Sequence, residues 1–183
     1  RDNSVNTVLP LVTLVLGGAR SGKSRYAEEL IESQGIGLYL ATAQPTDAEM
    51  RSRISEHRSR RGEAWETIEE PHDIVDIISR EARPHRPILV DCLTLWLSHV
   101  LFHEKGADKE ITRLKGLLES GALRGPVVFV SNEIGLGVIP DNRVSRVFVD
   151  AQGELNRLVA NLANRVVLVT AGLPQILRGK NDE

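Results

Sequence analysis

Gly17, Gly22, Lys23 and Ser24 have the residue types and the spacing to hold phosphate, since they satisfy the pattern G-x-x-x-x-G-K-[ST]. Glycine lets the backbone curl so that successive N–H groups point at phosphate oxygens, with Gly18, Ala19, Arg20 and Ser21 inside the loop. The ammonium of Lys23 would span the β and γ phosphates, and the Ser24 hydroxyl is a hard ligand for Mg²⁺. The pattern follows an apolar run, "LVTLVL", and opens a helical one, "KSRYAEEL", whose N-terminal dipole adds positive potential. The alternative is a chance glycine-rich strand-to-helix turn, which the full motif in this context disfavours. These residues read as a nucleoside triphosphate site.

A phosphate loop needs a carboxylate at the end of a neighbouring strand to hold the metal. "PILVDCLT" supplies Asp91 at the end of such a strand, although an Asp there could also simply cap the helix starting at Leu93. Cys92 beside it has no adjacent histidine or cation in sequence to lower its pKa, so it reads as a small buried residue and not a nucleophile.

A second constellation lies in "PTDAEMRSRISEHRSRRGEAW". Thr46 and Glu49 form a capping box, acids fill the first turn, bases the last, and Gly62 ends the helix. Arg53, His57, Arg60 and Arg61 stand at i, i+4, i+7 and i+8 and so share one face. Cations around a histidine disfavour imidazolium, which keeps His57 neutral and nucleophilic, and they would neutralise an incoming phosphate. The same spacing also fits a solvated charged face carrying one histidine.

These groups need a scaffold. Apolar, β-branched runs at Val8–Leu16, Gly37–Ala41, Pro87–Asp91, Pro126–Ser131 and Arg165–Thr170 alternate with helical patterns. The helices fall at Lys23–Ser33, Asp47–Arg61, Asp73–Arg80, Leu93–His103, Ala107–Ser120 and Asn142–Ala163. This alternation predicts an α/β fold, a P-loop NTPase-like, mainly parallel sheet with helices on both faces. A chain of 183 residues, 41% hydrophobic, suits a single domain over 1–183, with 1–7 as a tail. A net charge of −2 and 4% aromatic residues argue against a nucleic-acid partner. The longest apolar run is far short of the ~20 residues a transmembrane helix needs. One cysteine, no signal-peptide layout and no long apolar span lead to the expectation of a cytoplasmic protein.

Taken in order, "GGARSGKSRYAEEL", "YLATAQPTDAEMRSRISEHRSRRGEAWETIEEP", "LVDCLTLWL", "VSNEIGLGVIPDNRVSRVFVDAQGELNRLVA" and "VVLVTAGLPQ" resemble the bifunctional adenosylcobinamide kinase / adenosylcobinamide-phosphate guanylyltransferase family. The resemblance runs from about Leu11 to Gln175, and its narrow signals are the R-I-x-x-H-R helix and "SNEIGLGVIP" before "DNR". It implies two steps of cobalamin biosynthesis. ATP or GTP phosphorylates the aminopropanol hydroxyl of adenosylcobinamide, and GTP then donates GMP to that phosphate, with pyrophosphate leaving. The GMP passes through a phosphoramidate on a histidine, which maps onto His57. A neutral imidazole is a competent nucleophile at phosphorus.

The resemblance further implies a nucleotide site extended by Ala41, Thr42, Ala43, Arg58, Ser59, Arg60, Arg61, Glu69 and Asp91, with Lys23 and Asp91 catalytic beside His57. Ser24 and Asp91 would hold Mg²⁺, and Glu69 could accept hydrogen bonds from a guanine, or pair with Glu70 as solvated surface. Some family members carry Glu where Asp91 stands, so the shorter side chain implies metal contact through water. Asn132, Glu133, Asn142 and Arg143 could line the corrinoid or nucleotide site. Equally, Glu133 could only close a strand and Asp141 only cap a helix. His72, His85, His99 and His103 show no convincing metal spacing, since the i, i+4 pair His99 and His103 lacks an evident third ligand. A domain this small has little area for a corrin ring, so a homo-oligomer is expected, a trimer by resemblance. Two rivals stand: a small-molecule P-loop kinase needing no histidine, and a nucleotide-gated regulatory module.

Overall fold

The structure is a computed structural model describing residues 8–45, 48–62, 65–103 and 106–179. The expected tail at 1–7 and the capping residue Thr46 lie outside the described residues, as do the side chains of Glu49, Arg53, His57 and Arg60. Seven strands form one sheet in the order β3-β2-β4-β5-β1-β6-β7. They are β1 Val12–Gly17, β2 Gly37–Ala41, β3 Trp65–Glu69, β4 Ile88–Asp91, β5 Val127–Asn132, β6 Arg165–Thr170 and β7 Leu173–Arg178. All neighbours pair in parallel except β6 and β7, which form an antiparallel hairpin. The helices are α1 Lys23–Glu32, α2 Ala48–Arg60, α3 Ile74–Glu81, α4 Leu93–Phe102, α5 Ala107–Glu119 and α6 Arg143–Leu162.

The five central strands are buried on both faces, which is why they read as continuous β-branched runs. Their side chains alternate between two cores. Leu14, Leu38, Val90 and Phe129 pack with Trp96, Leu97, Leu114 and Val159 from α4, α5 and α6. Val15, Tyr39, Leu89 and Val130 pack with Ala27 and Ile31 of α1 on the other face. Among the described residues, no helix is long and apolar enough to cross a membrane.

Two strands were absent from the sequence expectation. β3 and β7 are the edges of the sheet, and their partly exposed residues ("WETIE", "LPQILR") lack the apolar continuity of a central strand. Gly37 is required where β2 passes α1 and β3, because a Cβ there would lie 2.4 Å from Ile31 Cγ2 and 2.7 Å from Trp65 Cζ3.

Candidate nucleotide and phosphoryl-transfer site

The phosphate loop leaves the C-terminal end of β1 and returns into α1. Gly17 must be glycine, since a Cβ would sit 2.7 Å from the Val169 carbonyl oxygen and 2.4 Å from Ser21 Oγ. Gly22 caps α1 at φ 92°, a left-handed conformation that glycine adopts freely, and Arg20 shares that region at φ 55°. The curl is tied by Ser21 N–H to the Gly18 carbonyl at 3.3 Å and by Gly172 N–H to the Ser21 carbonyl at 2.8 Å. Lys23 is buried and donates to the Gly18 carbonyl at 2.9 Å, folding its ammonium back over the loop. Burial lowers its pKa, an effect that the nearby Cys92 and Asp91 oppose.

Asp91 ends β4, with β5 between it and the phosphate-loop strand. Its carboxylate caps no helix. α4 begins after Cys92 without a side-chain cap, and Asp91 Oδ2 accepts a hydrogen bond from the Tyr39 hydroxyl. Thr42 fastens the β2 and β4 ends together, donating through Oγ1 to the Cys92 carbonyl at 2.7 Å and accepting from Cys92 N–H at 2.8 Å. It therefore serves the framework, while its neighbours Ala41 and Ala43 line the cavity. Cys92 is buried, and desolvation followed by the Asp91 charge pushes its thiol up to about 12, in keeping with an unreactive residue.

These groups converge on one cavity of ~220 Å³. Lys23 and Ser24 line it from the start of α1, Asp91 and Asn132 from the ends of β4 and β5, and Met50, Ile54 and Arg61 from α2 and the residue after it. α2 ends at Arg60, one residue short of the expected helix, and the Arg61 guanidinium carbon lies 3.4 Å from the centroid of the Tyr39 ring. The ring attracts the cation, and Gly62 follows at once to release the helix. Arg58 and Ser59 are exposed, and Ser59 Oγ donates back to the Glu56 carbonyl at 3.0 Å.

Elsewhere the expected roles divide. Glu69 is exposed at the end of β3, in register with Ala41. Its neighbour Glu70 is structural, accepting from the backbone N–H of His72 at 2.8 Å and Asp73 at 3.1 Å ahead of α3. Asn142, rather than Asp141, caps α6 by accepting from Ser145 N–H at 2.8 Å. Glu133 follows β5, its N–H bonded to the Gly17 carbonyl at 3.0 Å, and it borders a separate open cavity of ~570 Å³ with Asp150, Glu154 and Arg157. His72 and His99 hydrogen-bond through their Nε2 atoms, with the His103 ring 5.1 Å from that of His99.

Sequence reasoning missed Tyr39, Met50, Ile54 and Leu95, all lining the cavity. Each reads as an ordinary apolar position in a strand or helix. The signal for Met50 and Ile54 was their spacing with position 57, but which face met the sheet could not be read locally.

Hard oxygen donors suit Mg²⁺, and Ser24 and Asp91 present a hydroxyl and a carboxylate to one cavity beside a buried cation. The residues fit the metal of a nucleoside triphosphate complex.

A model of the cobinamide kinase / cobinamide phosphate guanyltransferase family matches residues 13–177. The chain is 47% identical over 169 residues to a bifunctional adenosylcobalamin biosynthesis protein CobP of Pseudomonas aeruginosa, covering 91% of this chain and 97% of the relative. It is 38% identical over 177 residues to a bifunctional adenosylcobalamin biosynthesis protein CobU of Escherichia coli, covering 89% and 97%. Among solved structures, a protein of Pyrococcus horikoshii OT3 superposes with TM-score 0.56 at 10% identity over 96% of this chain and 90% of that one. The RadB recombinase does so at 0.51 and 12%, covering 96% and 84%. At that identity the structural likeness establishes the fold alone, a P-loop NTPase-like sheet.

Proposed function

The chain belongs to the cobinamide kinase / cobinamide phosphate guanyltransferase family, and from that premise we propose how its residues divide the two reactions. It is an enzyme of cobalamin biosynthesis with kinase and guanylyltransferase activities. The observation supporting the division is the cavity lined by Lys23, Ser24 and Asp91 on one side and by Met50 and Ile54 of α2 on the other.

In the first step the terminal hydroxyl of adenosylcobinamide attacks the γ-phosphorus of ATP or GTP, the bond to the β-phosphate oxygen breaks, and the nucleoside diphosphate leaves. The loop N–H groups from Gly18 to Ser24 hold the phosphates, and the Lys23 ammonium neutralises the transferring group. Ser24 and Asp91 would hold Mg²⁺, which when bound offsets phosphate charge.

In the second step a neutral His57 nitrogen attacks the α-phosphorus of GTP and pyrophosphate leaves. The phosphate oxygen of adenosylcobinamide phosphate then attacks the same phosphorus, the N–P bond breaks, and adenosylcobinamide-GDP forms. Position 57 supports this role by spacing: Met50 and Ile54 line the cavity, and 50, 54 and 57 form one i, i+4, i+7 series on α2. Arg61, with Arg58 and Arg60 on the same segment, would neutralise charge during transfer. Glu69, beside Ala41 in register, is the acceptor for the guanine N1–H and amino group. The need for ATP and GTP places this work in the cytoplasm.

A homo-oligomer, a trimer, completes the reading. Leu136 at 85%, Val138 at 96% and Ile139 at 76% exposure form an apolar loop before α6, where Val144 and Val147 continue it. Light scattering should give a mass near three chains, and a fully active monomer would remove the proposal.

The deciding experiment uses GTP labelled at the α-phosphate with Mg²⁺. The wild-type chain should acquire an acid-labile, alkali-stable label that His57→Ala lacks. No label on the wild type would overturn the histidine role and leave a kinase built on Lys23 and Asp91.

A further inference from the structure

Tyr39 has no part in the steps above, yet it lines their cavity. Its side chain is 3% exposed in β2, beside β4, and its hydroxyl donates to Asp91 Oδ2. Two contacts clamp the ring. The Trp65 ring meets it edge-on, with centroids 5.8 Å apart and planes at 82°, and the Arg61 guanidinium covers it at 3.4 Å. A ring fixed on two sides leaves its hydroxyl one place to be. A phenylalanine would fill the same volume and keep both ring contacts, so packing alone gives no reason for the oxygen. A buried hydroxyl costs free energy unless it is hydrogen-bonded, and here its partner is Asp91, the carboxylate proposed to hold the metal.

A strand-end aspartate can turn its carboxylate about the last side-chain bond. A hydrogen bond to Oδ2 restrains that rotation in a carboxylate that lines the cavity.

We propose that Tyr39 is a positioning residue for phosphoryl transfer, its hydroxyl setting the orientation of the Asp91 carboxylate while Arg61 and Trp65 hold its ring. The inference rests on the kinase role of Asp91 proposed above. Residues that orient a catalytic ligand from behind typically contribute about 10–100-fold to activity.

A double-mutant cycle on kinase turnover tests it, with Tyr39→Phe, Asp91→Asn and the pair. Tyr39→Phe should lower kcat for cobinamide phosphorylation about 10–100-fold. Its affinity for ATP with Mg²⁺, measured by calorimetry, should stay within about twofold, because the loop N–H groups and Lys23 still bind the phosphates. In the Asp91→Asn background the same substitution should change kcat by less than about twofold. Additive losses in the double variant, or a fall in ATP affinity that parallels the fall in kcat, would overturn the positioning role while leaving Asp91 in place. Wild-type turnover in Tyr39→Phe would overturn it as well. Wild-type turnover in Asp91→Asn would overturn the reading of Asp91 and this inference with it.

Discussion

On the sheet side of the cavity, Lys23, Ser24 and Asp91 are carried by the phosphate loop, α1 and β4, elements anchored in strands that the core buries on both faces. On the other side α2 runs for thirteen residues, and none of its described side chains is buried: Met50 and Ile54 are half-buried against the cavity and the rest are exposed. α3 shows the contrast, burying Ile74, Val75, Ile77 and Ile78 in only eight residues. The groups proposed to grip the triphosphate thus sit on elements anchored in the core. The segment carrying the histidine is attached mainly where it meets the site, with Arg61 on Tyr39 as its inward contact. Binding chemistry common to both reactions demands a rigid frame, while the described side chains of α2 contribute little burial.

The contrast breaks most sharply in activity. Lys23→Met should lower both phosphorylation and guanylyl transfer by about 10²–10³-fold, since it removes charge stabilisation from the shared phosphate site. His57→Ala should abolish the GMP label yet leave cobinamide phosphorylation within a few-fold of wild type. Kinetic assay of both steps on both variants checks this, and equal loss of the two steps in His57→Ala would erase the proposed division.

Stability should sharpen it next. Trp96→Ala, deep in the core with Leu97 and Phe129, should cost about 3–5 kcal/mol, whereas Ile54→Ala on α2 should cost about 1 kcal/mol or less. Urea unfolding monitored by circular dichroism reads both. A loss at Ile54 approaching that at Trp96 would mean that α2 is part of the cooperative core.

The smallest effect belongs to Cys92. Its thiol titrates near 9.0 when unfolded and about 12 in the fold. Between those values the unfolded chain gives up the proton and the folded chain keeps it, so unfolding is favoured progressively as pH rises through that window. Below 9.0 the group contributes no slope. The native thiol should therefore resist iodoacetamide at pH 8 and react once the chain is unfolded. Rapid alkylation of the folded chain would show an open site at the β4 end.

Legibility followed the same division. The phosphate loop could be read because its requirements are local: Gly17 has no room for a Cβ, Gly22 needs positive φ, and lysine and serine follow at fixed positions. The five central strands were legible because burial on both faces forces a continuous apolar run. β3 and β7 escaped notice because an edge strand is half solvated and carries polar residues. Asp91 could be nominated from its place after "PILV", but the hydroxyl that holds it comes from Tyr39, 52 residues earlier. Arg61 was read onto a helical face that stops one residue before it.

The residues alone determined that a phosphate loop stands between strand and helix, that a carboxylate ends a buried strand, and that the fold is a mainly parallel α/β sheet. Each of these depends on chemistry within a few neighbouring positions. Only the tertiary structure decided that β2 lies beside β4, bringing Tyr39 to Asp91, and that the end of α2 turns Arg61 onto that ring. Strand order and helix docking are fixed by burial summed over the whole core, which no local pattern records.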